Sequence, residues 1–102
     1  GAAEALELVV HGDAKTSKVV GKRIDQIDWP HGVTVAALVR NFDQAVIVGQ
    51  TDDGTAITRR GEVVIAHHDT VIEPDDHVIV FCTRKKLVKK VEKLFQVGFH
   101  FL

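Results

Sequence analysis

The chain is short of cysteine, of long apolar runs and of net charge, and each shortage excludes something. Cys82 is its one cysteine. A single thiol closes no internal disulfide, so the fold is not stapled and a reducing compartment is expected. Set in an apolar stretch, Cys82 reads as a small buried hydrophobe. The longest apolar runs, such as 8–10, 35–39 and 45–48, are far below the roughly 20 residues of a spanning helix, so no membrane-crossing helix is predicted. The opening Gly-Ala-Ala-Glu-Ala-Leu-Glu lacks the basic flank and apolar core of a signal peptide, and reads as the start of a piece cut from a longer chain. Thirteen Lys and Arg stand against fourteen Asp and Glu, a net charge of −1. That leaves no general basic footprint for nucleic acid. G-x-G-x-x-G, Walker, H-x-x-x-H, C-x-x-C and G-x-S-x-G patterns are all missing, which excludes nucleotide, zinc and hydrolase sites of those types.

What is present is ordinary globular material, 45% hydrophobic and 26% charged over 102 residues, the size of one small domain. Leu6, Leu8 and Val10 alternate with Glu7, Val9 and His11 and predict a first strand. Thr16 or Ser17 is placed to cap a helix running to Ile27, with Val20, Ile24 and Ile27 on one face. Gly21 inside that helix implies close packing. Residues 33–40 predict a second strand, with Val33, Val35, Ala37 and Val39 on one face. Residues 45–58 predict a hairpin around Asp53-Gly54. Residues 62–66 and 77–82 predict two more strands around a polar corner containing His67-His68-Asp69-Thr70 and Glu73-Pro74-Asp75-Asp76. A last helix over 84–95 carries Leu87, Val88, Val91, Leu94 and Phe95 as an apolar stripe. Arg84, Lys85, Lys86, Lys89, Lys90 and Lys93 crowd the same helix; a solvated face is the simplest reading and an acidic partner or anionic lipid the second. The aromatic end, 98–102, is expected to dock on this domain or a partner. The fold class is α+β: a mostly antiparallel sheet with two helices packed against it, in the order βαββ(hairpin)ββα.

The candidate chemistry is thin. His67, His68, His77 and His11 suggest metal, but adjacent strand residues point to opposite faces and turn histidines are the better reading. Asp69, Asp75 and Asp76 read as turn formers. Ser17 with His11 and Asp13 reads as a cap and not a triad. No catalytic residue and no metal ligand is assigned. A small enzyme using His67 and Asp chemistry is the low alternative.

In order, Ser17-Lys-Val-Val-Gly-Lys22, Ile24, Ile27, Gly32, 35–40, Gly61-Glu-Val-Val-Ile-Ala66, Asp69-Thr-Val-Ile-Glu-Pro-Asp-Asp76 and 78–81 resemble the RCK C-terminal (TrkA-C) regulatory domain of potassium uptake proteins, and Leu94-Phe95 matches the family's closing helix. The resemblance covers nearly the whole of 1–102, read as a single domain. It departs in two places. About twenty residues at 41–60, an extra hairpin, stand where the family passes almost directly to its next strand. Asp75 stands where the family often has glycine. The resemblance implies a cytosolic, non-enzymatic module at the inner face of a membrane potassium transporter subunit. It also implies a homodimer and, in some relatives, a small regulatory nucleotide such as cyclic di-AMP in a dimer cleft. NAD(H) or ATP/ADP belongs to an N-terminal domain absent from this chain, so no cofactor is expected here. The ligand residues proposed for this chain are Arg40, Asn41 and His67, because a strand-end arginine can grip an anion. A stand-alone small-molecule sensor, or the regulatory domain of another ion transporter, is the alternative.

Overall fold

The computed structural model describes residues 3–98, apart from the side chain of Phe42. Four strands, β1 (Glu4–Val9), β2 (Val33–Gln50), β3 (Ala56–Ile65) and β4 (His77–Cys82), form one antiparallel sheet in the order β1-β4-β2-β3. One short helix, α1 (Val88–Leu94), follows a 3-10 turn at Lys85–Leu87. Among the described residues the architecture is mostly antiparallel sheet with a single α-helix, broadly α+β.

The predicted helix from 16 to 27 is absent. The segment holds turns and a 3-10 turn at Ile24–Gln26. Ser17 Oγ accepts the N–H groups of Val19 and Val20, as a cap would, but no helix follows. Gly21 takes φ +78, a left-handed value that stops helical propagation. A Cβ there would meet only Ala14, at 3.8 Å, so this glycine serves conformation and not close packing. The backbone bonds instead to the 68–72 segment: Gly21 N–H to Ile72 O (2.8 Å), Ile72 N–H to Lys22 O (3.0 Å) and Ile24 N–H to Thr70 O (2.9 Å). A neighbouring chain segment satisfies the groups that an i→i−4 ladder would have used. Val19, Val20 and Ile27 are still buried. The apolar pattern was real; the helical period was not.

Three further expectations are corrected. The strand predicted at 33–40 and the hairpin at 45–58 are one long ribbon, β2 and β3, joined by the predicted Asp53-Gly54 turn. The two strands around the polar corner are not neighbours, because β2 lies between β3 and β4. The corner does not hold them in register; it is an eleven-residue crossover from β3 to β4. A bulge between Val35 and Ala37 also breaks the predicted face of β2. Val33 and Val35 pack on the core, but past the bulge Leu38 takes the inward place, fully buried, and pairs with Val78.

The core lies on one side of the sheet. Val78, Val80 and Cys82 of β4 and Leu38 of β2 meet Leu87, Val91 and Phe95 of the closing helix and Val10, Val19, Val20, Ile27 and Ile72 of the loops. The predicted stripe on the last helix is thus the one that closes the core. Trp29 seals its rim, with its indole N–H on Ile24 O (3.0 Å) and its ring 5.9 Å from Phe95. No described residue covers the opposite face: along β4, His77, Ile79 and Phe81 alternate with the buried set, and Phe81 is 51% exposed. The expectation for the aromatic end falls on residues 99–102, outside those described.

Candidate functional site

Where β2 leaves the body of the sheet, its residue Arg40 faces the end of the crossover. Pro74 has no N–H and fixes its own φ, and Asp75 takes φ +67, so the chain reverses over 73–76. Asp76 N–H donates to Glu73 O (3.2 Å) and Asp75 N–H to Val10 O (2.9 Å), while Val10 N–H donates to Asp76 O (2.8 Å). The turn is thereby fixed to the end of β1. The position where the family resemblance set glycine does have a positive φ here, and aspartate occupies it; short polar residues tolerate that region better than others.

This reversal buries the Asp76 carboxylate, 2% exposed. Its Oδ2 accepts the Glu73 N–H (2.9 Å), and its two oxygens lie 3.2 and 3.3 Å from Arg40 Nε. Glu73 Oε2 is 3.3 Å from the same Nε, and Arg40 Nη2 donates to Val71 O. One N–H is shared among three carboxylate oxygens, so the group is a charge cluster and not a bidentate fork. Burial pushes the Asp76 pKa up, against the Glu73 N–H and Arg40, which both favour the ionised form.

The cluster floors an open hollow of about 420 Å³ that also includes Asn41, Asp43 and Asp75. Of the proposed ligand residues, Arg40 and Asn41 are brought together there. His67 lies elsewhere, in a hollow of about 250 Å³ with Ile24, Trp29 and His68. Its backbone N–H donates to Thr70 Oγ1 (3.0 Å) and its carbonyl accepts the Thr70 N–H (3.2 Å). In the first hollow, four carboxylates (Asp43, Glu73, Asp75 and Asp76) surround one guanidinium that is already engaged. An entering anion would meet net negative charge and would have to displace Glu73.

Among the described residues no group of three or more His, Cys, Asp or Glu side chains could hold a metal ion. Cys82 is buried, and burial pushes its thiol pKa up, away from reactivity. Ser17 Oγ is occupied by two backbone N–H groups. Sequence reasoning missed the Arg40–Asp76 pair, which spans 36 positions. It read Asp75-Asp76 as turn chemistry; Asp76 does bond the turn, and only the crossover brings it to Arg40. It also missed the approach of His77 Nδ1 to Glu7 Oε1, 3.4 Å across the β1–β4 register. The strand periods carried the signal for that pair, had β1 and β4 been read as neighbours.

No helix among the described residues is long and apolar enough to cross a membrane. No family model matches the chain. Curated relatives do match, three of them as follows. It is 45% identical over 101 residues to the Trk system potassium uptake protein TrkA of Halomonas elongata, 47% over 102 to that of Vibrio alginolyticus, and 34% over 102 to that of Haemophilus influenzae. These alignments cover 99 to 100% of the chain but 18% of each relative's length. Similarity at that level across every strand of the sheet makes the chain a segment of the TrkA type.

Proposed function

We propose that this chain is a non-enzymatic regulatory domain of a potassium uptake system, the C-terminal regulatory domain of a TrkA protein, acting in the cytoplasm at the inner face of a membrane transporter subunit. The observation that carries the reading is the match over the whole chain to three proteins named for potassium uptake. In this reading 1–102 is one domain with its extra hairpin at 41–60, and NAD(H) or ATP/ADP is held by parts of the protein outside this chain.

The domain works as a pair. Its support is the sheet face opposite the core, where Phe81 of β4 and Val63 and Ile65 of β3 are exposed beside Ala37, Val39 and Ile79. A contiguous apolar sheet face of this kind is matched by a second copy of itself about a two-fold axis. Regulation is then a change in the geometry of the pair, driven by a ligand or partner that binds two arrangements with different affinity.

A small regulatory nucleotide at Arg40 and Asn41, with His67 contributed separately, is the ligand form of the proposal. The charge of the hollow sets its condition: binding must break the Glu73–Arg40 contact. Calorimetric titration of cyclic di-AMP against this chain and its Arg40→Ala variant tests that part; equal heats in both would remove Arg40 from any site. The main reading is tested by potassium uptake in cells whose full-length TrkA carries Phe81→Glu in this segment. Uptake should fall several-fold while the protein still accumulates. Unchanged uptake, with the pair shown to be broken, would contradict it.

A further inference from the structure

The ribbon of β2 and β3 runs well past the body of the sheet. Beyond the register break between Arg40 and Ala45, residues 45–50 pair with 56–60 and touch no other strand. Two positive-φ residues, Asn41 (+50) and Gly61 (+77), sit at this break and form an elbow. Every residue from Gln50 to Arg60 is exposed, as are Ile47 and Val48; Ile47 is 67% exposed and Ile57 45%. A two-stranded ribbon standing alone in water is marginal at best. This one nonetheless carries isoleucine and valine, the residues least suited to bare solvent, and ends in a well-bonded turn. Thr51 N–H donates to Thr55 O (2.8 Å), Gly54 N–H to Thr51 O (3.0 Å) and Thr55 N–H to Asp53 Oδ1 (3.0 Å). A stiff tip on an uncovered apolar arm implies a surface that receives it.

The area of the sheet face identifies the occupant. Four strands about 4.8 Å apart, each about six residues of 3.4 Å, present a footprint of roughly 400 Å². A stable interface removes about 800 Å² from each partner. The face alone falls short by about half, and the arm is a continuation of the same two strands. Two copies meeting through the face would each project an arm of about 20 Å along the other.

We propose that the arm formed by residues 45–58 clasps a second copy of this chain, seating the ribbon face that carries Val46, Ile57 and Arg59 against the partner and completing the interface that the bare sheet face begins. The proposal rests on the paired reading given above, and three measurements separate the two. The first compares dissociation constants from sedimentation equilibrium for the chain, Phe81→Glu, and the double variant Val46→Asp with Ile57→Asp. The clasp predicts that the arm variant dissociates at least 30-fold more readily, with a circular dichroism spectrum like that of the parent chain, and that Phe81→Glu stays monomeric. An arm variant that dimerises like the parent, beside a monomeric Phe81→Glu, overturns the clasp and leaves the pair standing. A parent chain that is monomeric at all concentrations overturns both. The second measurement needs no variant: amide hydrogen exchange in 45–58 should slow at least tenfold between monomeric and dimeric concentrations. Exchange that is unchanged there while strands β4 and β1 gain protection overturns the clasp. The third is a vesicle control, with anionic phospholipid in place of a second copy; arm protection that appears only with vesicles also overturns it.

Discussion

The two halves of the β2–β3 ribbon share strands, hydrogen-bond pattern and apolar content, yet differ in almost every energetic respect. The proximal half, near Leu38 and Val64, lies over a closed core, and Leu38 is fully buried. The distal half, near Ile47 and Ile57, leaves its large apolar side chains exposed. Pairing alone does not decide whether an apolar strand residue stabilises this chain; what lies across the sheet does. The elbow at Asn41 and Gly61 ends the continuous register, and no described side chain beyond it belongs to the core.

The contrast is broken most forcefully at Leu38. Leu38→Ala should cost about 3 kcal/mol in urea unfolding, the usual range for a buried leucine. Ile47→Ala should change the monomer's stability by less than about 0.5 kcal/mol. A comparable loss at both positions would mean that the arm is part of the folding unit.

The Arg40–Asp76 cluster at the elbow comes next. Arg40→Ala strands a buried carboxylate and should cost about 3 kcal/mol at pH 7. Its pH dependence has a definite sign. Asp76 has a folded pKa above its ordinary value of 3.8, so its titration favours folding below 3.8, and that contribution is lost as pH rises through the folded pKa. Removing Arg40 takes away an interaction that favours the ionised form. The deficit of the variant should therefore shrink as pH is lowered from 7 to 4, toward protonation of Asp76. Urea titrations of both proteins at the two pH values check this; a deficit that grows on acidification would show that Arg40 stabilises through packing.

The elbow and the turn before β4 are the third comparison. Gly61→Ala should cost about 1–2 kcal/mol, because a Cβ is disfavoured at φ +77. Asp75→Gly should be neutral or stabilise by up to about 1 kcal/mol, since it relieves the strain at φ +67. Thermal unfolding of the two variants should thus move in opposite directions, or only the first should move.

How much of this was legible in the sequence depends on the range over which each feature is determined. The strand at β1, the hairpin turn at Asp53-Gly54 and the stripe on the last helix are fixed by residues within a few positions of one another, and all three were readable. The segment from 16 to 27 was not, since its apolar residues fit a helical spacing while Gly21 adopts φ +78 and bonds to Ile72, fifty positions away. The single face drawn through Val33, Val35, Ala37 and Val39 was not real, because a bulge at 35–37, which leaves no local mark, brings Leu38 to the side of Val33 and Val35. The strand order was equally hidden: 62–66 and 77–82 look like a hairpin in sequence, but β2 takes the place between them. In the hollow, Arg40 and Asn41 were legible as strand-end residues, whereas the pairing of Arg40 with Asp76 depends on the crossover.

The smallest expected effect lies at the arm's tip. The Thr51 hydroxyl and the Thr55 N–H hold the Asp53 pKa down to about 2, from 3.8. A depressed carboxylate stabilises its turn above 3.8 and loses that contribution as pH falls through about 2. The turn should therefore loosen only in strong acid, seen as a shift of the Thr55 and Gly54 amide resonances between pH 4 and pH 2, without unfolding of the body. A shift already complete by pH 4 would contradict the Thr51–Asp53 contact.

The claim on which the functional account most depends is that the uncovered face and its arm belong to an interface between two copies. Sedimentation equilibrium across micromolar to millimolar concentrations tests it directly. The account predicts a mass that rises from 11.2 kDa toward twice that value as concentration increases. A mass of 11.2 kDa at every concentration would contradict it.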